Sequence, residues 1–201
     1  MKKLILASQS PRRAEILKNA GYLFSILPTY VSEIPDENLS LDQQILKIAE
    51  DKARAAVASI SDQGLDAIVL SADTMVCIEN KPTFRLLGKP SDTVDAKNTL
   101  RLLSGNTHLV KTAVILIDHK SQRIVSHIET TKVKFRTLTD FEISDYVATG
   151  EPMDKAGSYG IQGIGKKFIE FIDGDYDNVV GLPMKAVQKI FEENKWLLTK
   201  S

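Results

Sequence analysis

Short apolar and polar blocks alternate along the chain, and their periodicity switches between strand-like and helical. The apolar run Leu4–Ala7 is typical of a buried strand, and Ser10, Pro11 and apolar residues at helical spacing follow it up to Gly21. Proline has the backbone φ favoured at a first helical position, and glycine favours the left-handed position after a helix. The pattern therefore predicts a strand, a tight turn and a helix with Ser10 as N-cap, then a short strand at 22–27.

A second helix is predicted from about Leu41 to Ser59, after the capping-box pattern Ser40–Gln43. Lys52 falls in the middle of its apolar stripe at about 100° per residue. Two interpretations are open: the long side chain extends past small residues to solvent, or it lines a polar cleft and faces a phosphate or a carboxylate. The preceding segment, 29–39, is predicted to be a loop rich in carboxylates, and Glu33 is one of them.

The uninterrupted apolar run Ala67–Ala72 predicts a strand buried on both faces, with Asp73 and Thr74 directly after its end. An acid there is commonly a turn or N-cap residue. It is also where open α/β sheets bind ligands, outside the carboxyl ends of their strands. A hairpin is predicted next, with strands at 75–79 and 83–87, and the turn after it contains Lys89.

The rest of the chain predicts more strands and helices around one glycine-rich loop. The predicted elements are a helix from the N-cap Ser91 to about Leu103, strands at 107–118 and 123–136, a helix opened by the capping box of Thr139, a strand at 168–172, and a last helix from Pro183. The loop, 150–165, contains five glycines and Gln162. A primary amide offers a donor and an acceptor, so Gln162 could pair with the O4 and N3–H edge of a pyrimidine.

Composition and charge exclude several classes of protein. The chain has 201 residues, with 26 lysines and arginines against 26 aspartates and glutamates, so no overall basic field is available to hold a long nucleic acid. The single cysteine, Cys77, excludes an internal disulfide and fits a reducing cytoplasm. The three histidines stand apart and predict no zinc site. No apolar stretch is long enough for a signal peptide or a membrane span.

Arg12 and Arg13 are predicted in the first turn of the first helix, where exposed N–H groups already create positive potential. Each cation there should cost about 0.3–1 kcal/mol unless an anion is present. A phosphate site built from helix N–H groups, the hydroxyls of Ser8 and Ser10 and the guanidiniums would account for the pair. Two solvated arginines after a turn are the alternative.

Taken together, these pieces resemble the Maf family of nucleoside triphosphate pyrophosphatases over nearly the whole chain. The blocks that carry the resemblance are Ser8–Arg13 (SQSPRR), Ala72–Thr74 (ADT), Gly88–Pro90 (GKP), Gly150–Gly163 (GEPMDKAGSYGIQG) and Gly174–Pro183. The resemblance implies a single domain over 1–201 with an inosine-triphosphatase-like α/β fold, a twisted mixed sheet flanked by helices, and two lobes around a cleft. It also implies a cytoplasmic enzyme that uses Mg²⁺ or Mn²⁺ to hydrolyse a nucleoside triphosphate to the monophosphate and pyrophosphate.

Three positions indicate a branch within the family. Arg13, Thr74 and Gln162 are similar to the dTTP/UTP pyrophosphatases rather than to the 7-methyl-GTP branch. Thr74 and Gln162 would then favour a pyrimidine base, whether ordinary or modified. Asp154 and Lys155 also match the family block, although a mutual salt bridge would explain them as well.

The predicted roles follow from the chemistry of water attack on the α-phosphorus. Charge develops on the phosphoryl oxygens and on departing pyrophosphate, so the site needs fixed cations and a metal. The candidate cations are Arg12, Arg13, Lys52 and Lys89, and Ser8 and Ser10 would bind phosphate. Glu33 and Asp73 are the candidate metal ligands. Asp73 could instead be the base that activates the water, and both roles stay open.

Two rival functions need separate treatment. A Nudix hydrolase would need a helix with clustered glutamates after a glycine loop, and the sequence has none. A nucleotide-binding regulator of septum formation with little turnover would bind nucleotide without needing Lys52 and Asp73 for hydrolysis. Pairing through an edge strand would allow a homodimer, but nothing in the sequence requires one.

Overall fold

The computed structural model describes residues 1–34, 36, 38–60, 64–80 and 83–200. They form seven strands and six helices in the order β1 Lys3–Leu6, α1 Pro11–Asn19, β2 Phe24–Ile26, α2 Leu41–Ile60, β3 Ala67–Asn80, β4 Thr83–Leu87, α3 Thr93–Leu103, β5 Thr107–Asp118, β6 Ile124–Phe135, α4 Asp140–Ala148, β7 Ile169–Asp173, α5 Tyr176–Val180 and α6 Met184–Glu193. Three short 3₁₀ turns, Glu151–Asp154, Ala156–Ser158 and Ile164–Phe168, lie between α4 and β7.

The seven described strands make one mixed sheet. Its order is β2-β1-β3-β5-β6-β7, and β4 pairs with β3. The sheet is mixed because β1 is parallel to both β2 and β3, whereas β4 is antiparallel to β3 and β7 is antiparallel to β6. The predicted α/β class is confirmed. None of the described helices is long and apolar enough to cross a membrane.

The chain divides into two compact units. The first unit comprises Met1–Asp73, Thr112–Glu129 and Gly181–Ser201, and the second comprises Thr74–Lys111 and Thr130–Val180. Each unit therefore combines segments that are distant in the sequence. The expectation of one domain over 1–201 stays a prediction.

In the first unit, α2 packs through a stripe of buried residues, as its spacing predicts. The stripe consists of Gln44, Ile45, Ile48, Ala49, Lys52, Ala53, Ala56 and Ile60. The helix begins at a capping box: the Ser40 N–H donates to Oε1 of Gln43 at 3.0 Å, and the Gln43 N–H donates to the Ser40 hydroxyl at 3.4 Å. Because these two side chains satisfy backbone donors at the helix start, the predicted boundary at Leu41 is confirmed.

The strand β3 does not end at Ala72, so the prediction that Asp73 follows a strand is wrong. β3 runs without interruption to Asn80. Its first part pairs with β1 up to Leu70, and its second part pairs with β4 from Val76. Two polar residues do not end this strand, because buried apolar side chains resume at once beyond them. Asp73 therefore has the rigid backbone of a strand interior.

Three of the five predicted helix starts are right, those of α1, α2 and α4, and two are one residue early: α6 begins at Met184, with Pro183 as its N-cap, and the start of α3 also differs. Ser10 occupies the N-cap of α1 without a side-chain capping bond, and the full capping box of Thr139 opens α4. The N-cap of α3 is Asp92, not Ser91: its carboxylate accepts hydrogen bonds from two backbone N–H groups of the first turn. An ionised carboxylate is the stronger acceptor and also interacts favourably with the helix dipole. The short helix α5 was not predicted.

The core of the second unit contains a chain of aromatic rings. Phe135 contacts His108, Tyr159 and Phe168, with ring centroids 4.8 to 6.0 Å apart, and Tyr146 lies edge-on to Phe168 at 4.9 Å. Tilted and edge-to-face contacts of this kind stabilise a core beyond the burial of their area. They hold α4 and the segment after it in place, and that segment contains Gln162.

Candidate active site

Lys52 is the centre of an ionic cluster in the first unit. Its Nζ lies 2.7 Å from Oδ1 of Asp73 and 2.6 Å from Oε1 of Glu33. The Lys52 side chain is 8% exposed and that of Asp73 14%, whereas Glu33 is 54% exposed. The interpretation that Lys52 faces a carboxylate is confirmed, and the alternative that it extends to solvent is wrong.

Local packing explains why Lys52 reaches this position. The hydroxyl of Ser71 on β3 donates to the carbonyl oxygen of Ala49 on α2 at 2.6 Å. Ala49 and Ala53 are fully buried and small, so the helix backbone lies close to the strand. Lys52 is one turn beyond Ala49 and therefore projects its ammonium toward Asp73, two residues after Ser71.

Arg13 is held by two elements of the first unit. Its Nε donates to the carbonyl oxygen of Gly181 at 2.8 Å, and its Nη1 donates to the Ser8 hydroxyl at 3.1 Å. The Ser10 N–H donates to the same hydroxyl at 3.2 Å, so Ser8 joins the turn to the guanidinium. Because a guanidinium held by two hydrogen bonds loses little further entropy on binding, this group is well suited to recognise a phosphate.

The charges around Arg13 act in opposite directions. Burial lowers its pKa, the carboxylates of Asp73 and Glu33 raise it, and the neighbouring Arg12 lowers it. A guanidinium stays protonated in proteins, so these effects change its energy rather than its charge. The first turn of α1 carries both arginines and no acid. This combination supports the prediction of an anion site at the helix start.

The described residues of the first unit thus bring Ser8, Arg13, Glu33, Lys52 and Asp73 into one network of contacts and charges. Arg12 and Ser10 are half-buried at the same turn. The remaining candidates belong to the second unit: Thr74 is half-buried in β3, and Lys89 and Gln162 are exposed in loops. That these three act with the first group stays a prediction.

Asp154 and Lys155 form a salt bridge with each other. This is the structural alternative that the sequence offers for the match of these two residues to the family block. The Lys155 Nζ lies 2.5 Å from Oδ1 of Asp154 and also donates to the carbonyl oxygen of Glu151 at 2.7 Å. Lys155 therefore contacts both the first and the last residue of the 3₁₀ turn Glu151–Asp154.

The carbonyl oxygen of Gly181 is a site contact that periodicity could not predict. Gly181 lies 168 residues from Arg13 in the sequence, and its backbone φ of 126° is in the region that favours glycine. The sequence feature that could have indicated Gly181 is the block Gly174–Pro183, which matches the family pattern.

The donor set of Glu33 and Asp73 fits a hard divalent cation. No group of three or more His, Cys, Asp and Glu side chains that could hold a metal occurs among the described residues. Mg²⁺ nevertheless needs only one or two carboxylates when waters and substrate phosphates complete its coordination. Two carboxylates that converge on one ammonium, one of them half-exposed, satisfy that requirement.

The mixed sheet and the arginine–serine turn beside an Asp–Lys–Glu cluster define an α/β protein built to bind a phosphorylated ligand. Solved structures of Ham1 proteins share the fold. The protein from Staphylococcus aureus has a TM-score of 0.53 at 12% identity, covering 96% of this chain and 100% of that one. The protein from Coxiella burnetii has a TM-score of 0.52 at 14% identity, covering 98% and 100%.

The family model of the Maf-like proteins matches residues 3–194, and the chain belongs to this family. Curated relatives named dTTP/UTP pyrophosphatase cover almost the whole chain. The relative from Bdellovibrio bacteriovorus is 52% identical over 94% of this chain and 97% of its own, and that from Caldicellulosiruptor bescii is 42% identical over 100% and 98%. The predicted family membership is confirmed.

Proposed function

We propose that this protein hydrolyses dTTP and UTP to the nucleoside monophosphate and pyrophosphate. The contact of Lys52 with Asp73 and Glu33, in electrostatic reach of the buried Arg13, is the observation that carries the proposal. Water attack on a phosphorus atom needs cations for the phosphoryl oxygens and a carboxylate for the water, and this cluster supplies both. Relatives of the same length that are named for this activity support the choice of reaction.

The cations would bind the triphosphate. Arg13 is pre-positioned by Ser8, while Arg12 and the hydroxyl of Ser10 lie at the same helix start, where N–H groups attract an anion. Lys89, which is exposed in the loop after β4, would add a positive charge at the departing pyrophosphate. These groups hold the substrate and stabilise the charge that develops in the transition state.

Asp73 would act on the attacking water. Its backbone is in the interior of β3, and Lys52 fixes the carboxylate by contact with Oδ1. A carboxylate held in this way can accept the proton of the water as the oxygen bonds to the α-phosphorus. It can also bind a cation through the same group, so both roles of Asp73 remain within the proposal.

Glu33 and Asp73 would hold the divalent cation, Mg²⁺ or Mn²⁺. When bound, the cation would neutralise phosphate charge and polarise the scissile phosphoryl group. The half-exposed Glu33 is the more accessible ligand, and Lys52 would orient both carboxylates toward the cation. We place the enzyme in the cytoplasm, in keeping with its single buried thiol.

Thr74 and Gln162 would determine the base. The exposed amide of Gln162 can donate to O4 of a uracil or thymine ring and accept from N3–H. Cytosine and adenine present a donor and an acceptor in the reverse order, so an amide held in one orientation would leave polar groups unpaired against them. Guanine presents O6 and N1–H in the same order as a pyrimidine's O4 and N3–H, so it would have to be excluded by its larger ring system.

A nucleotide panel tests the proposal. Purified protein with Mg²⁺ or Mn²⁺ is given UTP, dTTP, CTP, ATP, GTP and 7-methyl-GTP, and pyrophosphate and monophosphate are quantified. UTP and dTTP should have the highest kcat/KM. The Asp73→Asn variant, purified identically, controls for contaminating phosphatases.

Each failure has a distinct meaning. No pyrophosphate from any nucleotide would refute the hydrolase, and binding of the panel without release would identify the regulator instead. Preference for 7-methyl-GTP or another purine would refute the roles of Thr74 and Gln162.

A further inference from the structure

The carboxylate of Glu151 is the hub of a hydrogen-bond network in the second unit. Oε2 accepts from the Ile164 N–H at 2.8 Å, and Oε1 accepts from the Gly165 N–H at 3.2 Å and from the Tyr146 hydroxyl at 2.9 Å. The Tyr146 oxygen in turn accepts from the Gly160 N–H at 3.1 Å. These two side chains therefore bind both ends of the segment 160–165, which contains Gln162.

The glycines of this segment are required by the close approach of Glu151 and Tyr146. A Cβ on Gly163 would lie 2.4 Å from Oε1 of Glu151, and one on Gly165 would lie 2.8 Å from the Tyr146 oxygen. A real Cβ does not approach other atoms so closely, so any larger residue would displace the network. The loop backbone has thus been built against these two side chains.

The electrostatics of the hub agree with its geometry. Burial raises the pKa of Glu151, but the backbone N–H groups of Ile164 and Gly165 and the Tyr146 hydroxyl outweigh burial and lower it. Burial and the nearby carboxylate raise the pKa of Tyr146. Glu151 is therefore an ionised carboxylate that accepts hydrogen bonds, and Tyr146 is a neutral phenol that donates one to it. Charge-assisted bonds of this kind are roughly twice as strong as neutral ones.

Groups other than the Glu151 carboxylate and the Tyr146 hydroxyl start α4 and pack its inner face. The capping box of Thr139 starts α4, and the ring of Tyr146, 1% exposed, packs on Phe168 without its hydroxyl. The polar atoms of the pair act on the segment 160–165 instead.

We infer that Glu151 and Tyr146 are positioning residues for Gln162, and that by fixing both ends of the segment 160–165 they set the preference for a pyrimidine base. The inference rests on the proposed function, since it assumes that Gln162 reads the base. A flexible loop would have to be ordered on each binding event, and that entropy would be lost from the affinity for the preferred base.

Two variants and a cycle test the inference. Glu151→Gln keeps the shape but replaces one acceptor oxygen by a donor that faces backbone N–H groups, and Tyr146→Phe removes only the hydroxyl. Each should lower the ratio of kcat/KM for UTP to that for ATP by about 10-fold, mainly through a higher KM for UTP. Glu170→Gln, the same substitution at an exposed position of β7, should leave the ratio unchanged.

The cycle with Gln162→Ala separates positioning from general stability. If Glu151 acts through Gln162, then Glu151→Gln should not lower the ratio further in a Gln162→Ala background. An unchanged ratio in Tyr146→Phe and Glu151→Gln, or an equal loss with and without Gln162, would overturn the inference. If Glu151→Gln does not fold, the same cycle with Tyr146→Phe decides. Wild-type turnover is measured first, since its absence would refute the proposed function itself.

Discussion

Because Lys52 contacts two carboxylates, loss of the lysine and loss of one carboxylate should lower the free energy of unfolding by different amounts. Lys52→Met removes the charge but keeps most of the apolar stem, and leaves Asp73 and Glu33 facing each other. Asp73→Asn removes one carboxylate, after which the ammonium still contacts Glu33 at 2.6 Å. The lysine variant should therefore be the less stable of the two.

The magnitude follows from the distances and the burial. At 2.7 Å and an effective dielectric constant of about 20, the attraction between Lys52 and Asp73 is roughly 6 kcal/mol before desolvation is subtracted. Removal of one partner of a buried pair costs about 3–5 kcal/mol. Because Glu33 is half-exposed and screened by water, we expect a loss of about 3 kcal/mol for Lys52→Met and 1–2 kcal/mol for Asp73→Asn.

Urea unfolding at pH 7 measures these losses, and the double variant completes the cycle. The stability loss in the double variant should be smaller than the sum of the two single losses by about 1–2 kcal/mol, because Met and Asn leave no charge at positions 52 and 73, and the remaining carboxylate, Glu33, is half-exposed. Lys47→Met is the matched control: Lys47 lies on the same helix in an exposed i,i+4 pair with Asp51 and should cost no more than about 0.5 kcal/mol.

Turnover is measured on the same proteins. Both Lys52→Met and Asp73→Asn should lower kcat by at least about 100-fold while each remains folded below its urea midpoint, because a positioned base alone contributes about 10²–10⁴-fold. Additive stability losses, or an Asp73→Asn variant as unstable as Lys52→Met, would show that the lysine is not shared between the two carboxylates.

Two further predictions concern the second unit. Burial lowers the pKa of His108 to about 3 from 6.5, so its protonation opposes folding below pH 6.5, and the stability advantage of wild type over His108→Gln should shrink by about 2 kcal/mol between pH 7 and pH 5 in urea titrations. A constant difference would refute this. Asp92→Ala should cost about 1 kcal/mol in thermal unfolding, whereas Ser91→Ala should cost less; the reverse order would contradict the capping assignment.

Elements with strong local signals could be predicted from the sequence. The stripe and capping box of α2 predicted 41–59 and the helix is Leu41–Ile60, and the strand predicted at 107–118 is β5. The hairpin of β3 with β4 was predicted, but not that the strands predicted at 67–72 and 75–79 are one continuous strand, because two polar residues at 73 and 74 are a local signal for a break. The five residues of α5 are too few to show a period.

Some residues of the candidate site could likewise be predicted from the sequence, and others could not. Lys52 could be predicted because a charge on an apolar stripe violates the pattern, and such a violation indicates a partner. The partner itself could not be chosen from the sequence, since Glu33 lies in a loop without periodicity. Glu151 was also not predictable, because its acceptors serve N–H groups 13 and 14 residues away, beyond any helical or strand spacing.

The charges of the first unit explain how Arg13 keeps a charged guanidinium in a buried position at the opening turn. Burial lowers its pKa and so does the neighbouring Arg12, whereas Asp73 and Glu33 raise it, and the same two carboxylates contact the ammonium of Lys52. The two carboxylates thus stabilise two cations of the first unit at once. A phosphate that binds at this turn would add negative charge beside Arg13, at a helix start whose N–H groups also attract anions, so the buried guanidinium of Arg13 is the feature that most directly favours a phosphate.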